Sequence, residues 1–272
     1  MKYLDLMKKR IDGIEENVPW KLGYKNYVRG FGDVIGIQTP KIYQTALIEN
    51  IKIDEIPADF VLKPSFASAS IGVRLFRRND SLFYDIVRGT THTWSEIVES
   101  FIEVCKLYPK ASEYNCIIEE LLYDHEGNTP PEDIRFYCFQ GEIGLIHMDE
   151  HLKQGKPNSS FFHGDFESFP DLFERFKIAE KAAHLENIIE ASLPKGWKEL
   201  LTVAKRVSVA IPSPFARVDL YDTPKGIYLG EITLTPGTFY YKDRKIMSDS
   251  EDERLGKMWL DSEKRMIGSR YF

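Results

Sequence analysis

The segment FARVDLYDTPKGIYLGEITL (215–234) sets an arginine, two carboxylates and a hydroxyl where they can act together. Side chains alternate along an extended strand, so Arg217 and Asp219 share one face while Ala216, Val218 and Leu220 take the other. On the returning strand Glu231 and Thr233 share a face, opposite Tyr228, Gly230 and Ile232. A loop of five residues, Asp222 to Gly226, would put both polar pairs on one side of the hairpin. Such a group suits a hard divalent cation, because Mg²⁺ takes one or two carboxylates and leaves its other positions to substrate phosphates. A solvated sheet face carrying an Arg/Asp pair is the structural alternative.

A second segment, VLKPSFASASIGV (61–73), ends a strand on Lys63 and continues into a loop of small residues. One ammonium and several unobstructed backbone N–H groups near a common point can hold phosphate oxygens. Neither GxxxxGK[ST] nor GxGxxG occurs, so neither a P-loop nor a Rossmann fingerprint can be claimed. His147, His151 and His163 lie near Asp149, Glu150 and Asp165; His147 and His151 are four residues apart, but the run 142–148 has strand character, so a helical metal motif has little support. Substrate contact by residues 149–151 is the stronger reading there, with Lys153, Lys156 and Asn158 in a surface loop that could close over an acceptor. Cys105, Cys116 and Cys138 form no CxxC pair and no Cys/His order, so disulfide, zinc and thiol catalysis have no support.

Together the two segments resemble ATP-grasp enzymes. The first looks like the metal-binding hairpin, with its trailing Pro-Gly turn, and the second like the phosphate lid of the D-alanine:D-alanine ligase branch. IIEELL (117–122) resembles the interdomain strand that binds adenine. DIRFYCFQGEIGLI (133–146), RVDLYDTPKGIYLGEITLTPG (217–237) and YKNYVRG (24–30) make the TupA-like ATP-grasp family of polysaccharide and teichuronopeptide synthesis the nearest match, over roughly residues 24–262. The resemblance implies an α+β fold of two subdomains gripping ATP between antiparallel sheets, with residues 1–50 as an N-terminal segment, 51–118 as the small lid subdomain and 119–272 as the catalytic subdomain.

It also implies roles. Lys63 and Lys25 would contact the nucleotide; Ser68, Ala69, Ser70, Ile71 and Gly72 would form the lid. Glu119, Glu120 and Leu122 would meet adenine, largely through backbone groups, and Asp133 would lie near ribose or phosphates. Asp219, Glu231 and Thr233 would ligate Mg²⁺, and Arg217 and Lys63 would offset charge on the transferring phosphoryl group. The chain departs from its relatives in a lid with a single glycine, Thr233 where Asn is common, and Glu120 where Lys is common. The implied activity is an ATP-dependent carboxylate–amine ligase acting through an acyl phosphate, with a uronic acid or similar sugar-linked carboxylate and an amine or amino acid as substrates. A small-molecule kinase and a non-catalytic nucleotide- or glycan-binding accessory protein are the alternatives.

The elements that must position these residues are legible in outline. Short β-branched and aromatic runs at 60–65, 72–78, 81–87, 115–124, 133–139 and 142–148 predict strands, with Gly141 turning the last two into a hairpin. Helical spacing predicts helices over 91–110, capped by Thr93 and Glu96, over 197–211, and around Leu255, Met258 and Trp259. The stretch GFGDVIGIQTP (30–40) reads as a connector. With 272 residues, 43% hydrophobic and 29% charged, the composition is globular. A net charge of −6 disfavours nucleic acid as a partner. No window of 18 apolar residues and no signal-peptide core appear, which predicts no membrane span and a cytoplasmic location.

Overall fold

The computed structural model describes residues 1–67, 70–111, 113–150 and 156–268. The expected lid residues Ser68 and Ala69, and His151 and Lys153, lie outside them. The chain divides into two units, Met1–Thr39 with Glu132–Phe272, and Pro40–Pro131.

The first unit opens with α1 (Tyr3–Ile11) and α2 (Lys25–Ile35). Tyr3, Leu6, Met7 and Arg10 recur at helical spacing on the buried face of α1. Arg10 is fully buried because its donors are matched: Glu15 takes two of them at 2.7 Å, and the carbonyls of Phe215 and Leu234 each accept one at 2.9 Å. Its plane also lies 4.3 Å over Trp259. The glycine-punctuated stretch expected to be a connector is helical as far as Ile35 and stops at Gly36, where φ is +67°. Gly32 is required there, since a Cβ would stand 2.9 Å from the Ile37 carbonyl oxygen.

The second unit runs through β1 (Ile42–Leu47), β2 (Asp59–Pro64), β3 (Arg74–Asn79), β4 (Leu82–Asp85), β5 (Thr90–His92), α3 (Trp94–Lys106) and β6 (Asn115–Glu120). Its strands form one antiparallel sheet in the order β1-β6-β2-β3-β4-β5. Alternation turns Phe60, Leu62, Phe76, Cys116 and Ile118 toward Ile97 and Phe101 of α3, and these residues make the unit's core. The predicted cap of α3 is present: the Thr93 hydroxyl accepts from the Glu96 N–H, and the Glu96 carboxylate accepts from the Thr93 N–H at 2.7 Å.

The first unit resumes with β7 (Asp133–Phe139), β8 (Glu142–Asp149), β9 (Asn158–His163), α4 (Leu172–Arg175), β10 (Phe176–Ile178) and β11 (Asn187–Ile188). It closes with α5 (Trp197–Ala210), β12 (Ala216–Thr223), β13 (Gly226–Thr233), β14 (Lys245–Met247) and α6 (Asp249–Gly268). The main sheet has the order β11-β9-β8-β7-β12-β13, antiparallel except for β11 on β9, and β10 pairs separately with β14. One face packs on α5 through Leu200, Ala204 and Val207; the other packs aromatic residues of β7, β9 and the approach to β12 against α1 and Trp259 of α6. Gly256 gives α1 its seat on α6, for a Cβ there would lie 2.3 Å from the Met1 carbonyl oxygen.

These units divide the chain differently from the expected 1–50, 51–118 and 119–272. Residues 1–39 do not stand apart, because Val28 and Ile37 join the core of the main sheet and Tyr3, Leu6 and Met7 join that on its other face. Pairing of β1 with β6 keeps residues 42–47 and 115–120 in the second unit. The polar stretch after Lys156, expected as a surface loop, enters β9, where Ser159, Ser160, Phe161 and Phe162 are buried. Among the described residues no helix is long and apolar enough to cross a membrane.

Candidate functional site

In the first unit the hairpin of β12 and β13 brings its polar residues together by a route other than the one expected. The turn is only Pro224 and Lys225, with Thr223 facing Gly226. Carried on without interruption, that register would pair Asp219 with Gly230 and send Glu231 and Thr233 to the opposite face. The ladder instead slips between Asp219 and Leu220, with Gly230 as the extra residue, so that Asp219 faces Glu231 and Arg217 faces Thr233. A Cβ on Gly230 would stand 2.6 Å from the ring of Tyr221, which is why the bulge falls on a glycine.

Arg217 grips both oxygens of Asp219, at 2.7 and 2.5 Å, and donates to the Thr233 hydroxyl at 3.0 Å. That hydroxyl donates in turn to Glu231 at 3.2 Å. Asp219 is buried and Glu231 is exposed, so the two carboxylates differ in solvation. Burial lifts the Asp219 carboxyl to about 7; Arg217 opposes this, and Asp133 and Glu231 add to it. Burial works against the charge on Arg217, but Asp219 outweighs it and the guanidinium holds its proton more firmly than usual.

The same sheet face continues beyond the hairpin. Asp219 faces Arg135 on β7, Arg135 faces His147 on β8, and Asp133 faces Asp149. Arg135 donates to Asp133 at 2.8 Å and to Asp149 at 2.5 Å. His147 is stacked on Phe161, with ring centroids 4.6 Å apart, and lies 3.3 Å from the Ser159 hydroxyl. Lys245 lies 3.8 Å from Asp149 and bonds Glu186. Burial keeps the His147 imidazole neutral well below its ordinary range, although Asp149 pulls the other way. Sequence reasoning found Asp133 and the Asp149 segment but not Arg135, Glu186 or Lys245. For Arg135 the signal was present: a charged residue two positions from Asp133 in a strand shares its face.

In the second unit Lys63, next to last in β2, pairs with Glu119 of β6 at 2.5 Å on the face turned away from α3. Two residues expected to meet different parts of a nucleotide are thus in contact with each other. Ser70, at φ +59°, and Gly72, at φ +75°, form a turn closed by the Val73 N–H on the Ser70 carbonyl at 3.1 Å. The Glu120 backbone and carboxylate both meet the Lys41 backbone, and the Leu122 carbonyl accepts from Thr129 at 2.6 Å. Lys25 opens α2 in the first unit, and α2 packs on β13.

As a seat for Mg²⁺, Asp219 and Glu231 fit in donor chemistry: two oxygen ligands in register, with Thr233 beside them. Among the described residues no group of three or more His, Cys, Asp or Glu could hold a metal, so the remaining ligands would be water and phosphate oxygens.

A family model described as TupA-like ATPgrasp matches residues 4–260. No curated protein matches the chain. Among solved structures, D-alanine–D-alanine ligase from Bacillus anthracis is 16% identical with a TM-score of 0.52, over 91% of this chain and 69% of that one. The same ligase complexed with ATP gives 16% and 0.51, over 91% and 68%. D-alanine–D-alanine ligase from Helicobacter pylori gives 15% and 0.50, over 88% and 60%. At these identities the likeness speaks to the fold, which is α+β with antiparallel sheets, as expected.

Proposed function

The chain belongs to the TupA-like ATP-grasp family, and from that premise we propose that it is an ATP-dependent carboxylate–amine ligase. The observation that carries this reading is the bulge at Gly230, which spends a ladder position to set Asp219 against Glu231 beside Arg217. A carboxylate is a poor acyl donor because its leaving group would be oxide. Attack of a carboxylate oxygen on the γ-phosphorus of ATP expels ADP and leaves an acyl phosphate. An amine nitrogen then attacks the acyl carbon, inorganic phosphate departs with that oxygen, and the amine loses a proton.

In this reading Lys63, released from Glu119, neutralises phosphate oxygens, and Arg217 offsets charge that builds during transfer. Asp219 and Glu231 would hold Mg²⁺, which when bound offsets the charge of the β and γ phosphates. Lys25, Ser68, Ser70 and Gly72 would line the phosphates, Glu119, Glu120 and Leu122 the adenine, and Asp133 would lie near the ribose or phosphates. The carboxylate is proposed to be a uronic acid or related sugar-linked acid in polysaccharide assembly, and the location cytoplasmic.

The test is a panel of uronic acids and amines scored by ADP release and mass spectrometry. An amide product supports the ligase. A phosphorylated acceptor that persists when amines are supplied identifies a kinase instead. Nucleotide binding without turnover anywhere in the panel identifies an accessory protein.

A further inference from the structure

On the α3 side of the second unit's sheet, the face opposite Lys63 and Glu119, lies a cavity of about 290 Å³. Leu62, Ile97 and Phe101 give it a buried apolar wall, and Arg74 and Arg88 give it charge. Arg74 is only 7% exposed and is spent sparingly. Its Nε donates to Asp85 at 2.8 Å and its plane rests 4.8 Å from the Phe76 centroid. Its two outer nitrogens have no hydrogen-bond partner among the described residues.

The carboxylates nearby already accept other donors. Asp85 is fully buried and takes four donors: Arg74 Nε, Arg88 Nη1 at 2.9 Å, and the backbone N–H groups of Val87 and Arg88 at 3.2 and 3.0 Å. Glu96, also at the cavity, is held in the α3 cap by the N–H and hydroxyl of Thr93, at 2.7 and 3.0 Å. His92 Nε2 is 2.8 Å from the Thr90 hydroxyl. Two guanidinium groups therefore share one buried carboxylate that already takes four donors, and the outer nitrogens of Arg74 keep N–H groups to offer.

We infer that this cavity is a binding site for a small oxyanion, a carboxylate or a phosphate, carrying a compact apolar body. The outer nitrogens of Arg74 present a fork that matches either head group, and the wall of Leu62, Ile97 and Phe101 receives the body. Cofactor and drug pockets usually span roughly 300–1,000 Å³, so the occupant is smaller than a nucleotide. The site stands on its own geometry and does not depend on the ligase assignment.

The full-length chain is titrated with acetate, phenylacetate, inorganic phosphate and phenyl phosphate, by calorimetry and by the Nε–H resonances of its arginines. The expected result is saturable shifts of Arg74 and Arg88, with the aromatic member of each pair at least tenfold tighter. The tighter of phenylacetate and phenyl phosphate names the head group. Arg88→Gln, at an exposed position, and Ser100→Trp, which fills the cavity from its exposed edge, should each weaken binding at least tenfold with unchanged circular dichroism. Four results would each overturn the site: no saturation below about 10 mM, equal affinity within each pair, undiminished binding by Ser100→Trp, or displacement by ATP.

Discussion

Glu231 and Asp219 oppose each other in register yet live in different surroundings, and that difference sets what each substitution does. Glu231 is exposed and among the described residues its side chain bonds only the Thr233 hydroxyl, so on the proposed cation-holding role Glu231→Gln should lower turnover at least about tenfold, with an unchanged melting temperature. ADP release and thermal unfolding measure the two effects. Asp219→Ala is a different experiment. A polar cleft alone would predict an intact fold for it, but Asp219 is 2% exposed and neutralises a buried Arg217. Stripping one partner from such a pair costs about 3–5 kcal/mol, which urea unfolding would register. His147 governs acid sensitivity in the same cluster, with Asp149, Arg135, Lys245 and Arg217 around it. Its native pKa is depressed, so as pH falls below about 6.5 the unfolded chain gains a proton that the native state refuses, and stability drops toward the native pKa. The limiting slope is about 1.4 kcal/mol per pH unit. His147→Gln should flatten that part of the stability profile measured by denaturant titration.

At the scale of elements, the bulge in β13 decides whether the carboxylates meet. Gly230→Val sets a branched side chain against the Tyr221 ring and works against the bulge; in the uninterrupted register Glu231 and Thr233 turn to the other face, so on the proposed function calorimetric binding of Mg²⁺ and a nonhydrolysable nucleotide should vanish. The polar face of this hairpin was legible from alternation, but the reason was not. A loop of five residues and a two-residue turn with a bulge give the same facing, and nothing in the letters of Gly230 separates a bulge from an ordinary strand glycine until Tyr221 is seen packed over it. Helices with sustained 3.6 spacing, such as α3, could be read with their caps; Thr93→Ala should cost about 1 kcal/mol in unfolding free energy. The misread elements share a cause. In α2 the glycines signalled a connector, and in β9 the preceding Lys, Gly and Pro signalled a loop, whereas burial against neighbouring strands and helices overrode both local preferences. Lys245 and Glu186 sit far apart in sequence and meet only through tertiary packing, so no spacing could have paired them.

For the molecule as a whole, the two units carry separate cores and one buried cysteine each. Burial pushes the Cys116 thiol up to about 12 and the Cys138 thiol higher still, so neither reacts while its unit is folded. Pulsed alkylation across a urea series, read by mass spectrometry, should label Cys116 with the unfolding of residues 40–131 and Cys138 with that of the larger unit. Distinct midpoints are expected, because the smaller unit's sheet and α3 belong to one uninterrupted stretch. The larger unit is assembled from two stretches, and the seat of α1 on the notch at Gly256 has a bearing on biosynthesis. A ribosome delivers the inserted stretch whole before α6 emerges. During that interval the apolar face of α1, with Tyr3, Leu6 and Met7, has no α6 to cover it, and transiently exposed surface of this kind is prone to aggregation.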